Sequence, residues 1–201
     1  INQSEFKSTP GLVHRLDKET TGVIIIAKDY KTHSFIAKQF EERTVNKIYH
    51  ALVWGGVDSS GTIEGNIIRN SKDRKSFILT NGPGRYSKTD YSLINNVGPI
   101  SYLELKPSTG RTHQIRVHMK SIGHPILSDA KYSGGESMIK SFHVKYTKIL
   151  KRIMRKIDRV ALHARSIEII HPETNKKVMF SAPIPDDIKE VVEILENDES
   201  I

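Results

Sequence analysis

The apolar positions divide the chain into short, well-punctuated segments. Val23–Lys28 opens with a β-branched run and predicts a buried strand. Thr32–Glu42 sets Phe35, Ile36 and Phe40 on one helical face. Lys47–Trp54 alternates as a strand does and stops at Gly55-Gly56. Thr62–Ile68, Phe77–Thr80, Tyr91–Ile94 and Tyr102–Lys106 read as further strands, with a turn at Asn81-Gly82-Pro83-Gly84. Thr112–Ser121 predicts a helix closed by Gly123 and Pro125. Val144–Ile157 predicts a stronger one: Tyr146, Ile149, Leu150, Ile153 and Ile157 form an apolar stripe and basic residues fill the other face. Leu162–Ile170 and Lys177–Ser181 read as a hairpin around residues 171–174, and Asp186–Leu195 as a last helix. Many short strands with few helices predict an α+β fold built on a mixed, mostly antiparallel central sheet flanked by helices and loops.

At 201 residues the chain suits one domain, residues 1–201. There are no cysteines, which excludes thiolate zinc sites, iron–sulfur clusters and a cysteine nucleophile. No apolar run approaches the ~20 residues of a membrane helix. The first residues lack a leader's basic-then-apolar order and an initiator Met, so upstream sequence is expected to be missing and a cytoplasmic location is the default. A monomer is expected, because no apolar stripe is left over.

Net charge is +8, unevenly spread. Residues 110–165 hold thirteen basic and three acidic side chains, a net +10, while residues from 166 onward carry a net −6. Such a concentration suits a surface that meets phosphates, although a solvated lysine-rich face would look the same.

Several motifs fail. The segment from Gly82 to Thr89 resembles a phosphate-binding loop, but Ser87 occupies its second glycine. His113 and His118 are five apart and no His-Glu-x-x-His is present, so no metal is expected. Neither a Gly-x-Ser-x-Gly elbow nor a dinucleotide fingerprint occurs.

Two stretches carry chemistry. In Gly11–Gly22, Asp17 lies in a polar loop between Arg15 and Lys18, where cations and hydroxyls can hold a carboxylate ionised. A turn or capping aspartate is the plainer reading. In Lys106–Met119, a glycine turn leads into a donor-rich helix start, suited to phosphates and base edges. A surface helix start with a partly buried His118 is the alternative.

The same stretches resemble the RluA-type RNA pseudouridine synthases. His14-Arg15-Leu16-Asp17-x-x-Thr20-Thr21-Gly22 is similar to that family's first signature, and Gly110–His118 to its second. Lys47-Ile48-Tyr49-His50-Ala51, Gly123–Tyr132 and Ala161-Leu162-His163-Ala164 match the remaining elements in order, over about Gly11 to Pro185. Arg159–Ala164 and Tyr132–Gly135 look closest to the RluD-like branch, which acts on large-subunit ribosomal RNA. Thr21 stands where serine is common, and Ser128 where glycine is frequent before Asp129. An upstream strand with an Asn-Lys-Pro element and an S4-type RNA-binding domain are not found.

The resemblance implies isomerisation of uridine in RNA to pseudouridine, without cofactor or metal. Asp17 would be the essential carboxylate, adding to the ribose or taking a ribose proton. Arg116 would pair with it and keep it ionised. Tyr49 would stack on the uracil near C5, Leu162 would pack beneath it, and Arg15 would enter the RNA where the target base has flipped out. His14, Arg111, Thr112, His113 and Gln114 would contact substrate. Without the resemblance, Tyr49 and Leu162 read as core and Arg15 as an ion pair for Glu19. The competing readings are a non-catalytic RNA-binding module that keeps the fold, and an unrelated basic nucleotide hydrolase.

Overall fold

The structure, a computed structural model, describes residues 11–197. Eight strands form one sheet: β1 (Thr21–Gly22), β2 (Asn46–Trp54), β3 (Ser60–Arg69), β4 (Phe77–Thr80), β5 (Arg85–Val97), β6 (Ile100–Pro107), β7 (Leu162–Ile170) and β8 (Lys177–Ser181). The order is β1-β7-β2-β6-β5-β3-β4, with β8 also on β7. β1 runs parallel to β7, and the other pairs are antiparallel. Four helices accompany it: α1 (Tyr30–Glu41), α2 (Gln114–Ser121), α3 (Thr147–Lys156) and α4 (Asp186–Glu196). The expected α+β architecture is therefore present.

The core sits where β2, β6 and β7 meet the helices. Ala51, Leu52, Val53 and Trp54 are all buried, because β2 is central and covered on both faces. Ile149, Leu150 and Ile153 of α3 and Ile188, Val191 and Leu195 of α4 join that cluster. The predicted helix Val144–Ile157 starts instead as a 3₁₀ turn at Val144–Tyr146, and its stripe is buried as expected, apart from a half-buried Tyr146. Its lysines and arginines face solvent, with Lys156 paired to Glu190 at 2.9 Å.

The expected buried strand Val23–Lys28 is a correction. Only Thr21–Gly22 pairs as a strand; beyond it the Val23 amide donates to the Ala164 carbonyl and Ile26 makes one bridge to Leu12. The segment lies at the sheet edge, so Ile24 and Ile26 remain 42% and 48% exposed. Leu12, which bridges Ile26, is also exposed. No helix among the described residues is long and apolar enough to cross a membrane.

Local chemistry sets the ends of α1. The Asp29 carboxylate accepts from the Thr32 amide at 2.8 Å and caps the start. At the other end the Thr44 amide donates to the Gln39 carbonyl and the Arg43 amide to Phe40, a Schellman pair. Arg43 thus occupies the left-handed position, φ 60°, where glycine is the usual residue. A side chain there costs roughly 1 kcal/mol.

Two constraints generate predictions. Gly22 has φ 121°, and a Cβ on it would lie 2.2 Å from the Ala164 carbonyl oxygen, whereas one on Gly110 would meet nothing within 4 Å. Gly22→Ala is expected to cost about 1–3 kcal/mol in urea unfolding, and Gly110→Ala less than about 0.5 kcal/mol. Burial holds the His118 ring at a pKa of about 4, and burial followed by the Lys47 charge does the same to His14. The unfolded chain protonates both near 6.5, so it binds more protons than the folded chain between pH 6.5 and 4. Stability should therefore be full above pH 6.5 and fall as pH drops through that window. His118→Gln, which keeps a partner for Ser87, should flatten the fall by one proton; an unchanged slope refutes the assignment.

Candidate active site

The loop before β1, the β2 strand, the turn into α2 and the start of β7 converge on one cleft of about 530 Å³. All the candidate residues line it: Asp17, Tyr49 and Arg116, together with His14, Arg15, Arg111, Thr112, His113, Gln114 and Leu162.

Asp17 sits in a turn closed by the Thr20 amide on its carbonyl. Its carboxylate receives Arg116 Nη1 at 3.3 Å. Arg116 belongs first to another acid. Its Nε and Nη2 donate to the two oxygens of Asp129 at 2.7 and 2.8 Å, a bidentate pair with Asp129 fully buried. Burial opposes the charge on Arg116, but the hydrogen bonds and charge of Asp129, then Asp17, raise its pKa. The guanidinium also lies 5.0 Å from the Tyr132 ring centroid. The arginine is therefore held by Asp129 and Tyr132, and one N–H of Nη1 points at Asp17.

Asp129 and Tyr132 were visible in the sequence only as part of the later family element, without an assigned task. Asp129 is one of three acids among the cations of residues 110–165, which is the signal that marks it. Ser128 before it has φ 63°, the conformation glycine would supply, and its hydroxyl donates to the Ile157 carbonyl at 2.8 Å. Serine thus keeps the turn that presents Asp129.

Tyr132 continues the network. Its hydroxyl accepts from the Phe77 amide at 3.1 Å and lies 2.7 Å from His113 Nδ1. With the hydroxyl donating to Nδ1, the His113 proton sits on Nε2, 4.0 Å from the Asp17 carboxylate. Burial lowers the His113 pKa, and the positive charge of Arg116 adds to it against the pull of Asp17. The ring is thus a neutral wall of the site at neutral pH.

Tyr49 faces the cleft from β2. The β2–β7 ladder slips between Ile48 and Tyr49 and skips Arg165, a bulge that lies on β7 and leaves β2 regular. Burial, then the charge of Asp17, pushes the Tyr49 phenol up to about 12, so it remains neutral. Leu162 is buried at the start of β7.

The other candidates divide by what already occupies them. Arg15 is exposed and makes no ion pair among the described residues, Glu19 included. Thr112 is exposed, and Arg111 Nε donates to the Tyr86 carbonyl at 2.9 Å. The His14 ring accepts from the Ile25 amide at 2.9 Å and stacks on Phe40, centroids 5.0 Å apart. Gln114 is committed within the protein. Its oxygen accepts from Thr109 Oγ1 and the Arg111 amide, and its nitrogen donates to the Lys88 carbonyl and Thr89 Oγ1. His14 through Nε2 and Gln114 through its whole amide are thus tied into the walls.

The charge tally pointed to residues 110–165, yet the cleft draws most of its cations from elsewhere: Arg15, Arg43, Lys47 and Arg85 line it beside Arg111 and Arg116. No α3 residue lines it. Among the described residues no group of three or more His, Asp or Glu side chains is placed to hold a metal ion.

Comparison with known proteins identifies the family. The family described as RNA pseudouridylate synthase matches residues 1–121. The chain belongs to that family. An RNA pseudouridine synthase of Chlorobaculum parvum is 41% identical over 188 residues, covering 92% of this chain and 57% of the relative. The ribosomal large subunit pseudouridine synthase D of Borreliella burgdorferi is 47% identical over 141 residues, covering 70% of this chain and 43% of that protein. The chain thus spans about half the length of these relatives. Several relatives carry the D name, in line with the RluD-like resemblance. Among solved structures, the human RNA pseudouridylate synthase domain containing 4 protein superposes with a TM-score of 0.75 at 25% identity, covering 92% of this chain and 75% of that one. The human domain containing 1 protein gives 0.69 at 26%, covering 93% and 80%. The sheet and helices described above are those of this pseudouridylate synthase fold.

The shared arginine makes the two aspartates unequal. Asp129→Ala would leave a buried guanidinium unpaired and should destabilise the fold by about 3–5 kcal/mol. Asp17→Asn removes only a longer, partly exposed contact and should cost less than about 1 kcal/mol. Urea unfolding of both variants checks this; equal losses would contradict it.

Proposed function

We propose that the chain converts uridine in RNA, foremost large-subunit ribosomal RNA, to pseudouridine, with Asp17 as the essential carboxylate and no cofactor. The observation that carries this reading is the Arg116–Asp17 contact at 3.3 Å, braced by Asp129, on the floor of a cationic cleft beside Tyr49. A cleft of 530 Å³ is within the ~300–1,000 Å³ range of small-ligand sites and admits one flipped nucleotide.

The chemistry is an isomerisation. The bond from ribose C1′ to uracil N1 breaks, a bond from C1′ to C5 forms, the C5 proton leaves and N1 gains one. Asp17 acts on the ribose, by addition or by taking a ribose proton. Arg116 holds that carboxylate in place with a fixed N–H, and because the guanidinium is already locked by Asp129 it does not have to reorganise during the reaction. Tyr49, a neutral phenol with a free face, stacks on the uracil, a contact worth ~1–3 kcal/mol. Leu162 closes the apolar floor under the ring. Arg15, exposed and without an ion pair among the described residues, enters the place the base vacates. Flipping costs a few kcal/mol, which backbone contacts offset.

The test follows tritium release from uracil C5 in ribosomal RNA transcripts. The native chain should release tritium. Asp17→Asn should release it at least ~100-fold more slowly, with RNA affinity kept within a few-fold. Binding without release by the native chain would replace this reading with a non-catalytic RNA-binding module.

A further inference from the structure

The cleft also holds a group of cations that the catalytic roles leave unused. Arg43 at the end of α1, Lys47 on β2, Arg85 at the start of β5 and Arg111 before α2 line its rim. None makes an ion pair among the described residues. The partners given for Lys47 and Arg111 are neutral backbone carbonyls, Thr109 at 3.4 Å and Tyr86 at 2.9 Å. Glu41 lines the same cleft but pairs with none of them. The cations also press on one another: after burial, the charges of Arg85 and Arg43 lower the Arg111 pKa, and after burial Arg43 lowers that of Lys47. Like charges gathered without an acid weaken a fold unless an anion joins them.

Arg43 adds an independent sign. It holds the left-handed end of α1, φ 60°, where glycine would sit without strain. An arginine in that place is a local cost to the helix and supplies a charge to the cleft. Lys47 stands two residues before Tyr49 on β2, so both project on the same side of the strand.

We propose that Arg43, Lys47, Arg85 and Arg111 form a phosphodiester-binding site on the rim of the cleft, gripping the RNA backbone next to the nucleotide that enters toward Asp17. This deepens the reading of the cleft as an RNA site and rests on it. The cations come from four separate elements around one opening, which suits a strand of linked phosphates passing over the rim. Their grip supplies the backbone contacts that offset base flipping.

The test uses Arg43→Gly and Arg85→Gln, with Lys38→Gln as a charge-matched control on α1, since Lys38 pairs with Glu42 outside the cleft. Binding of a labelled single-stranded oligouridylate is titrated across KCl concentrations. Each rim variant should bind several-fold more weakly, and its plot of log affinity against log salt should be shallower by about 0.7 per lost phosphate contact. Lys38→Gln should match the wild type. Arg43→Gly should melt at or above the wild-type temperature, because glycine relieves the left-handed residue.

The proposal is overturned if the rim variants keep the wild-type salt slope, if Lys38→Gln loses as much, if oligoglutamate competes as well as RNA, or if the wild type shows no salt-dependent binding. Salt-dependent binding without tritium release would leave the phosphate site standing and remove the catalytic reading. Tritium release with rim variants indistinguishable from Lys38→Gln would do the reverse.

Discussion

The guanidinium of Arg116 is the point on which the site depends. It is nearly fully buried, and a buried cation is tolerated only when its N–H groups are satisfied by opposite charge. Asp129 takes two of them in a bidentate pair and Asp17 takes a third from the cleft side. The element that presents each partner must therefore be placed to within a hydrogen bond. α2 carries Arg116, the Ser128 turn presents Asp129, and β1, pressed against β7 at Gly22, ends the loop that holds Asp17. Packing far from the chemistry thus fixes the carboxylate.

The polar network around this pair is a chain of committed groups. Tyr132 lies against the arginine and orients His113, which faces Asp17 as a neutral ring. Gln114 spends all its amide on the loop and β5. What keeps capacity open to the cleft is what a substrate can use: the Asp17 carboxylate beyond its one contact with Arg116, Tyr49, Arg15 and cations that make no ion pair among the described residues. This division between braced walls and free groups is the physical content of a preorganised site.

The strand and helix pattern was legible to a large extent. The β7–β8 hairpin, α1, α3 and α4 lie where hydrophobic periodicity put them, because each buries one clear stripe or face. Val23–Lys28 misled because a β-branched run describes a propensity and says nothing about whether a partner strand is present; at the sheet edge Ile24 and Ile26 stay exposed while Val23 and Ile25 pack against a small core cluster. The charge tally was likewise no guide to the cleft. It counted cations along the chain, and the basic face of α3 turned out to line no part of the cleft, while Arg43, Lys47 and Arg85 reached it from scattered positions.

By itself, the sequence determined the order of the motifs whose family resemblance singles out Asp17, Tyr49 and Arg116; as local patterns alone, the aspartate reads as a turn residue and the tyrosine as core. Only the tertiary structure decided how they are joined. Asp17 and Arg116 are 99 positions apart, and that Arg116 serves Asp129 before Asp17 depends on which carboxylate is fully desolvated. Likewise Gln114 and His14 look like substrate contacts in one dimension and prove to be engaged in the walls in three. Desolvation and long-range hydrogen bonding are properties of the packed chain, so no local pattern could have assigned them.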